Sequence, residues 1–589
     1  MKAFYALLSA SWRYAKGRRL LVLLYVFMFI CANVILLLEP IAIGYLLNSI
    51  QTASTTPDPL KNMMTAFLYM VLIQVGFWVF HGPARLLENN TAFHVRMNFM
   101  QRLFRIVTSL PVQWHKDNHS GQSINRMRKA SNALYEFLSN GWQFIEMIIR
   151  LVGAVIALFL LLPIAAFIAV SVSIIALIVV FAFDYFLLRQ YEALNEQDHH
   201  VASALHDYVT NIITVITLRL EKLTQTELMQ RMSHYFPLFK KNNMVNETKW
   251  FLTTLMISLM TVAVLAWYAI STIDSGGVLL AGTFFMLYEY LQKIGNSFYT
   301  FAWKYSGTIQ QYADLRSADS ILKADRTEQN AGLCLPKSWK TVEIKDLSFS
   351  YEDKEKKRHQ LKDINLTLQR GKKIALVGES GSGKSTLMSL IRGLHMTDDV
   401  TVTVDGKKLK KGLRCIGAHV TLIPQEPEIF ANTIEYNITV DTEQSKKDVL
   451  HYVELARFTN VLNRLPKGLK TDIAEKGVNL SGGEKQRLAL ARGIFAAEES
   501  DIILLDEPTS SVDSKNELEI HKNIFAYFND RCVISSIHRL HLLPLFDEVY
   551  VLEKGEVIEH GTPEELMNGS GLLSKLWKTY NESRKQGKS

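Results

Sequence analysis

The run Gly378-Glu379-Ser380-Gly381-Ser382-Gly383-Lys384-Ser385-Thr386, directly after the apolar residues Ile374-Ala375-Leu376-Val377, admits few folds. Glycine, four residues, then glycine, lysine and serine is the spacing of a phosphate-binding loop. A short strand ends, and the glycines let the backbone curl until successive N–H groups face one anion. A helix then begins with its positive dipole end toward the same point. Lys384 stands near the outer phosphates of a nucleotide, and the Ser385 hydroxyl is a ligand for Mg²⁺. An α/β domain built around this strand–loop–helix unit is expected in the second half of the chain.

The first half asks for something else. Of 589 residues, 48% are hydrophobic and only 21% charged, and the apolar excess is concentrated before the loop. The net charge of +8 is spread beside apolar segments rather than gathered in one patch. That pattern marks the cytoplasmic side of a membrane protein and argues against nucleic-acid binding. Cys31 lies in an apolar run, and Cys334, Cys415 and Cys532 are widely scattered, so neither metal-ligand spacing nor a disulfide framework is expected. The apolar run from Leu20 is too long for a cleavable signal peptide and lacks a small-residue cleavage site.

Apolar runs at 20–47 (interrupted by Glu39-Pro40), 63–87, 142–162, 164–188, 250–270 and 278–299 each reach the ~20 residues that a crossing takes. Between the second and third, and again between the fourth and fifth, lie long polar stretches. Met97, Met100, Leu103, Phe104 and Val107 keep helical periodicity in the first of these, so the helices continue into water. Arg96, Arg102, Arg105, Lys116, Arg126, Arg128, Lys129, Arg219, Lys240 and Lys241 fall in these excursions and place them, with both chain ends, in the cytoplasm. Residues 1–17, leading into Lys16, Arg18 and Arg19, suit an amphipathic helix along the membrane surface.

Two sets of polar residues sit at membrane depth. Counting back from the turn near His115 brings Arg85 and Glu146 to one height, and with Arg150 and Asp184 they are expected to form an ion-pair layer, structural or substrate-facing. In the sixth span, Glu289, Gln292, Lys293, Asn296, Thr300 and Lys304 recur at steps of three and four and form one stripe. Glu289 and Lys293 stand in the favourable order for an intrahelical pair. Such a stripe either lines a solute path or packs on a neighbouring polar helix.

Residues 323–340 lack apolar periodicity and read as a linker. Strand-like alternation from Thr341 leads to Tyr351, whose ring either stacks on a purine or packs on its own sheet. Later, Ile502-Ile503-Leu504-Leu505-Asp506-Glu507 is a buried-type strand ending in two carboxylates. Asp506 suits a Mg²⁺ ligand through water, and Glu507 a base that polarises the attacking water in phosphoryl transfer.

Leu480-Ser481-Gly482-Gly483-Glu484, between the loop and the acidic strand, resembles the signature of ATP-binding cassette (ABC) proteins. The resemblance extends to other positions. Tyr351 is similar to the adenine-stacking aromatic, Gln425 to the lid-loop glutamine that also meets Mg²⁺, and His538 to the switch histidine at the γ-phosphate. Ser510-Ser511-Val512-Asp513 resembles the loop after the catalytic glutamate, and residues 471–477 the segment that touches the membrane domain.

This resemblance implies a membrane all-α six-helix domain (1–322), a linker (323–340), an α/β P-loop NTPase cassette (341–580) and a polar tail (581–589). Turns near 114–120 and 211–216 would be coupling helices. Implied too are ATP and Mg²⁺ as cofactors, Glu507, His538 and Lys384 as the catalytic set, and a second half-transporter, identical or related, as partner. Ser481, Gly482, Gly483 and Glu484 would close over the partner's ATP. The implied activity is ATP-driven export of a hydrophobic or amphipathic solute such as a lipid, drug or peptide, with Glu289, Gln292, Lys293 and Asn296 along the path. A bacterial inner membrane, N-terminus and cassette cytoplasmic, is the implied setting. An ATP-gated channel or regulator on the same scaffold is the alternative. Two positions depart from the family pattern: Glu484 replaces the usual glutamine, adding negative charge near the partner's nucleotide, and Pro508 stands where alanine is commoner.

Overall fold

The computed structural model describes residues 2–118, 120–324, 335–336, 338–352, 358–395, 397, 399–410, 412–426, 428–442, 446–473 and 480–586. The chain forms two compact units, one of Met1–Thr108 and Ser120–Asp325, the other of Ser109–His119 and Arg326–Ser589.

The first unit is helical. A short α1 (Lys2–Tyr14) precedes α2 (Arg19–Leu36) and α3 (Glu39–Gln51), and α4 (Pro59–Ser109) carries Pro83 inside an unbroken helix. After α5 (Val112–Asp117), which belongs to the second unit, come α6 (Ser120–Ser139), α7 (Trp142–Leu161) and α8 (Pro163–Thr210). Then follow α9 (Ile212–Thr217), α10 (Glu221–Asp274), α11 (Ala281–Arg316) and α12 (Asp319–Lys323). Helices α8 and α10, of 48 and 54 residues, reach about 70–80 Å at ~1.5 Å per residue, well past a bilayer.

Five stretches, Arg19–Gln51, Pro59–Ser109, Ser120–Leu161, Pro163–Leu187 and Glu221–Asp274, are long and apolar enough to cross a membrane. The sixth passage, α11, has the length at 36 residues, but its polar stripe holds it below that apolarity. Phe27, Val75, Phe159, Ile178 and Trp267 stand exposed on these helices. Hydrocarbon can accept such a surface, whereas water would penalise it.

Inside the bundle, Ala154 and Leu158 of α7, Ala165 and Ala169 of α8, Met260 and Val264 of α10, and Leu287, Leu291 and Ile294 of α11 form one buried cluster. The alanines let backbones approach closely, which is how helices gain contact when lipid removes the hydrophobic drive. Gly282 serves the same end, since a Cβ there would strike the Gly44 carbonyl of α3. The seam is closed by Gly282 N–H donating to Asn48 Oδ1 at 2.8 Å and Tyr290 O–H donating to the Leu37 carbonyl at 2.9 Å.

The expected ion-pair layer resolves into three separate pairs. Arg85 bonds Glu88 one turn along its own helix and the Ser139 carbonyl at 2.7 Å, rather than Glu146. Glu146 pairs with Arg150 within α7 at 2.5 Å, and Asp184 of α8 takes Lys249 of α10 at 3.0 Å. Equal height does not make partners; the nearest helical turn or the packed neighbour wins because a buried charge must be met at contact distance.

The second unit holds two sheets. An antiparallel one runs β2-β1-β4-β5, with β1 (Thr341–Glu352), β2 (Arg358–Gln369), β4 (Thr401–Val404) and β5 (Lys407–Lys408). The other runs β10-β9-β3-β8-β7-β6, with β3 (Lys373–Val377), β6 (Val420–Ile423), β7 (Ile502–Asp506), β8 (Cys532–Ser536), β9 (Glu548–Glu553) and β10 (Glu556–Gly561). Its strands are parallel except for β10. Residues of β3, β7 and β8 are buried throughout, which explains the apolar runs Ile374–Val377 and Ile502–Leu505, while β8 ends in the buried serines Ser535 and Ser536.

Helices α13 (Lys384–Ile391) and α14 (Leu413–Gly417) pack near the sheets, and α15 (Ile434–Thr439), α16 (Lys446–Leu455), α17 (Thr459–Arg464) and α18 (Gly482–Ala496) supply much of a second apolar core. The unit ends with α19 (Ser514–Tyr527), α20 (Pro563–Asn568) and α21 (Leu572–Gln586).

Two expectations are corrected. Leu335 and Trp339, read as linker, are buried in the core of the two sheets, so that core begins before Thr341. Cys415 is held in a disulfide, which scattered spacing did not suggest. Cys532 is free in β8, and burial pushes its thiol up to about 12.

Candidate active site

Parallel pairing sets Leu376 of β3 beside Ser536 of β8, and Ser536 beside Asp506 of β7. The carboxyl ends of the three strands therefore meet, and whatever follows each of them shares one crevice. After β3 comes Gly378 to Thr386, after β7 Glu507, and after β8 His538.

Gly381 (φ 83°) and Gly383 (φ 106°) take backbone angles that side chains disfavour, and a Cβ on Gly383 would lie 2.6 Å from the Leu361 side chain. The loop so formed has Glu379, Ser380, Gly381 and Ser385 exposed, Thr386 half-buried, and Gly378 and Ser382 buried. Lys384 is 5% exposed and folds back to donate to the carbonyls of Gly378 at 2.8 Å and Glu379 at 3.1 Å. Burial lowers its pKa, against the pull of the Glu507 and Asp506 carboxylates. Buried Ser382 Oγ has no hydrogen-bond partner among the described residues. A curled loop with an inward ammonium, an orphaned hydroxyl and two carboxylates opposite fits a magnesium–nucleoside triphosphate.

Asp506 is buried and accepts a hydrogen bond from Ser536 Oγ at 2.9 Å. Glu507 is held at both oxygens. Gln425 Nε2 donates to Oε2 at 2.8 Å, and His538 Nε2 lies 2.6 Å from Oε1. Its φ of 45° is unusual for a side-chain-bearing residue and points the carboxylate off the strand end. Loop lysine, acidic pair, lid glutamine and histidine, chosen from sequence, are thus gathered in one place. Tyr351 lies in β1, but its side chain is outside the described residues, as are positions 474–477 of the segment expected to touch the membrane domain.

Ser481, Gly482, Gly483 and Glu484 open α18 and make no hydrogen bond to the phosphate loop among the described residues. Glu484 does not project a free charge. It is buried, accepts the Ser481 N–H at 2.9 Å, and pairs with Arg464. A carboxylate three residues after the cap closes the first turn of a helix and suits its positive end. With its charge met inside its own cassette, Glu484→Gln should change ATP turnover by less than about twofold, measured as phosphate release.

Two residues of this region escaped sequence reasoning. Buried Gln486 donates to Ser510 Oγ at 2.9 Å and accepts the Ser511 N–H at 2.8 Å. Arg539 bonds the carbonyls of Val512 and Ser510. The only available signal was adjacency, Gln486 to the signature and Arg539 to His538.

In the first unit, the polar stripe borders a cavity of about 240 Å³, lined by Trp142, Glu146 and Arg150 of α7 and by Lys293, Asn296 and Thr300 of α11, among others. Glu289 and Gln292 are not on its wall. Lys293 lies 3.9 Å from Glu39 of α3, which replaces the expected pairing with Glu289.

Residues 22–296 match the ABC transporter transmembrane region family, and residues 361–510 the ABC transporter family. The chain is 25% identical over 525 residues to the "Probable multidrug resistance ABC transporter ATP-binding/permease protein YheH" of Bacillus subtilis, covering 87% of this chain and 76% of that protein. It is 34% identical over 238 residues to an ATP-dependent lipid A-core flippase of Vibrio parahaemolyticus, which covers 40% of each. The structure of a bacterial Atm1-family ABC exporter with ATP bound shares its fold, with a TM-score of 0.78 at 21% identity over 95% of this chain and 99% of that one. With a helical membrane domain and an ATPase domain joined in one polypeptide, the chain belongs to the ABC transporters, as a half-transporter of the ATP-driven exporter architecture.

Proposed function

We propose that two such chains pair in a membrane, clamp two ATP molecules between their cassettes, and use binding and hydrolysis to move an amphipathic solute outward. The observation that carries this reading is the Glu507 carboxylate, fixed by Gln425 and His538 at the mouth of a loop whose lysine points inward. When bound, MgATP supplies the phosphoanhydride bond and the cation that offsets its charge. Ser385, Gln425 and Asp506 are the residues to hold that cation, and Tyr351 the one to hold the base. Glu507 takes the proton of the attacking water, His538 and Gln425 keep its oxygens aimed, and Lys384 offsets phosphate charge.

Pairing is supported by two features. The signature turn is exposed at Ser481 and Gly482 and makes no hydrogen bond to this chain's own phosphate loop among the described residues. Helix α9 leaves Ile212, Ile213 and Ile216 exposed at the end of a long polar extension, where lipid does not reach; a partner's cassette would cover them. The basic residues of the extensions favour a cytoplasmic cassette, in a bacterial inner membrane.

The solute is expected to place a polar, acceptor-bearing head in the α7–α11 cavity. On that wall the indole N–H of Trp142 and Nε of Arg150 have no hydrogen-bond partner among the described residues. Relatives named for multidrug resistance and for lipid A-core flipping fit an amphipathic substrate, and the gated-channel alternative finds no support among them.

The test is purification in native lipids, with phosphate release measured and co-purifying ligands identified by mass spectrometry. Absence of ATP hydrolysis would sink the reading. Lys293→Leu combined with Asn296→Leu should reduce transport into vesicles at least about tenfold while basal ATP turnover changes by less than about twofold. Unchanged transport would return the stripe to a packing role.

A further inference from the structure

Trp142, Glu146 and Arg150 recur every four residues and share one face of α7, while Lys293, Asn296 and Thr300 recur at three and four on α11; together they border the cavity. Trp142 opens the apolar stretch of α7 and Thr300 follows that of α11. The polar wall therefore stands where the long polar extensions leave the bundle, at the height of lipid headgroups.

Trp142 is fixed from behind. Its backbone N–H donates to Oε1 of the fully buried Glu88 at 2.8 Å, the Arg85 guanidinium lies 5.2 Å from its ring, and the His81 ring 5.4 Å. Its buried indole N–H has no hydrogen-bond partner among the described residues, and neither has Nε of Arg150. The charged residues on the wall are two cations, Arg150 and Lys293, and one carboxylate, Glu146, already taken by Arg150 at 2.5 Å. Lys293 is left over. Its side chain is only 13% exposed, and its one carboxylate neighbour, Glu39 of α3, is 3.9 Å away, beyond hydrogen-bonding reach.

We propose, resting on the exporter reading above, that this cavity selects its solute by charge: an amphipath with an anionic, oxygen-bearing head, phosphate or carboxylate, met by Lys293 and by the Arg150 guanidinium. A half-buried ammonium without a hydrogen bond gains most from an oxygen that carries charge. A guanidinium fork matches phosphate and carboxylate alike. A neutral head leaves the ammonium unmet, and a cationic head adds a third positive charge to a poorly solvated wall. The height of the wall supplies the rest, since a head held there leaves its tail in hydrocarbon.

The test uses the full chain in nanodiscs of zwitterionic lipid, with retention of radiolabelled dodecyl phosphate measured and empty discs subtracted. Dodecyl maltoside and dodecyltrimethylammonium keep the tail and change the head; each should compete at least about thirtyfold less well than unlabelled dodecyl phosphate. Methyl phosphate keeps only the head and should compete at least about a hundredfold less well. Lys293→Gln should weaken dodecyl phosphate about tenfold and dodecyl maltoside less than about twofold. Arg150→Lys keeps the charge beside Glu146 and removes the fork, and should weaken dodecyl phosphate about threefold with thermal stability intact. Glu39→Gln frees the Lys293 ammonium from its nearest carboxylate and should strengthen dodecyl phosphate about two- to threefold, a gain that a lysine serving only to pack would not give.

Equal competition by the three dodecyl heads overturns the selection of anions. So do Lys293→Gln and Glu39→Gln that both bind as the wild type does. Methyl phosphate competing as well as dodecyl phosphate overturns the amphipath and makes the ligand a soluble anion. A wild type that selects dodecyl phosphate yet hydrolyses no ATP leaves the anion site standing and overturns instead the exporter reading.

Discussion

Glu507→Gln is expected to cut ATP turnover by about a thousandfold while nucleotide affinity stays within about threefold, since a positioned general base is worth roughly 10²–10⁴. The geometry makes this variant informative. Gln425 needs an acceptor at one Glu507 oxygen, which an amide carbonyl still provides, and the amide NH₂ can face a neutral imidazole of His538. Shape and grip survive; only the ability to take a proton is removed. Single-turnover phosphate release together with fluorescent-nucleotide binding separates the two effects. Turnover above about a tenth of the wild type would show that Glu507 is not the base.

The second large effect belongs to the membrane unit. Lys249 and Asp184 form an ion pair at 3.0 Å, with side chains only 6% and 12% exposed. Asp184→Ala leaves an ammonium at the depth where α8 and α10 pack, and breaking a buried pair from one side costs about 3–5 kcal/mol. The Trp250 ring, 4.9 Å from Lys249 Nζ, returns part of that, on the order of 1 kcal/mol. Unfolding in detergent should therefore move sharply to lower temperature. Asp184→Ala with Lys249→Met should recover most of the loss, because replacing both charges by apolar groups removes the desolvation penalty together with the attraction. A double variant no more stable than the single one would show that the pair does not act as a unit.

Lys384, Asp506 and Glu507 could be selected from the chain because each sits at a strand end in a local pattern whose chemistry is written in adjacent residues, whereas Gln425 and His538 were pointed out only by the resemblance to the ABC family. The burial of β3 and β7 was equally open, since fully enclosed parallel strands favour continuous apolar runs, whereas β8, ending in Ser535 and Ser536, carried no such signal. Gln486, Arg539 and Glu517 had no such signature. What they do depends on which distant groups they meet: the Val512 and Ser510 carbonyls lie 27 and 29 residues from Arg539 and the Glu517 carboxylate 22, while the Ser510 hydroxyl and Ser511 N–H lie 24 and 25 residues from Gln486.

Charge partners were the poorest guide. Counting turns along two helices gave a height for Arg85 and Glu146, yet Arg85 took Glu88 one turn away. Glu289 and Lys293 had ideal spacing, yet Lys293 faces Glu39 and a cavity. An intrahelical pair in water is worth only ~0.3–0.5 kcal/mol, too little to hold a side chain against the demands of a packed, poorly solvated surface. Glu484 shows the converse: a carboxylate that looked electrostatically disruptive is absorbed by a helix N-terminus and an arginine from α17.

The sequence alone settled what is local and periodic: the membrane helices, the enclosed strands and the phosphate loop. Hydrophobic period and glycine spacing act over a few residues and hardly depend on the rest of the chain. Tertiary structure decided everything that needs two distant segments to meet. It chose the partners of the membrane charges, held both oxygens of Glu507, neutralised Glu484 and enclosed Leu335 and Trp339 in the cassette core. Such pairings are set by close packing and by the cost of an unmet buried polar group, and neither is defined until the chain has folded on itself.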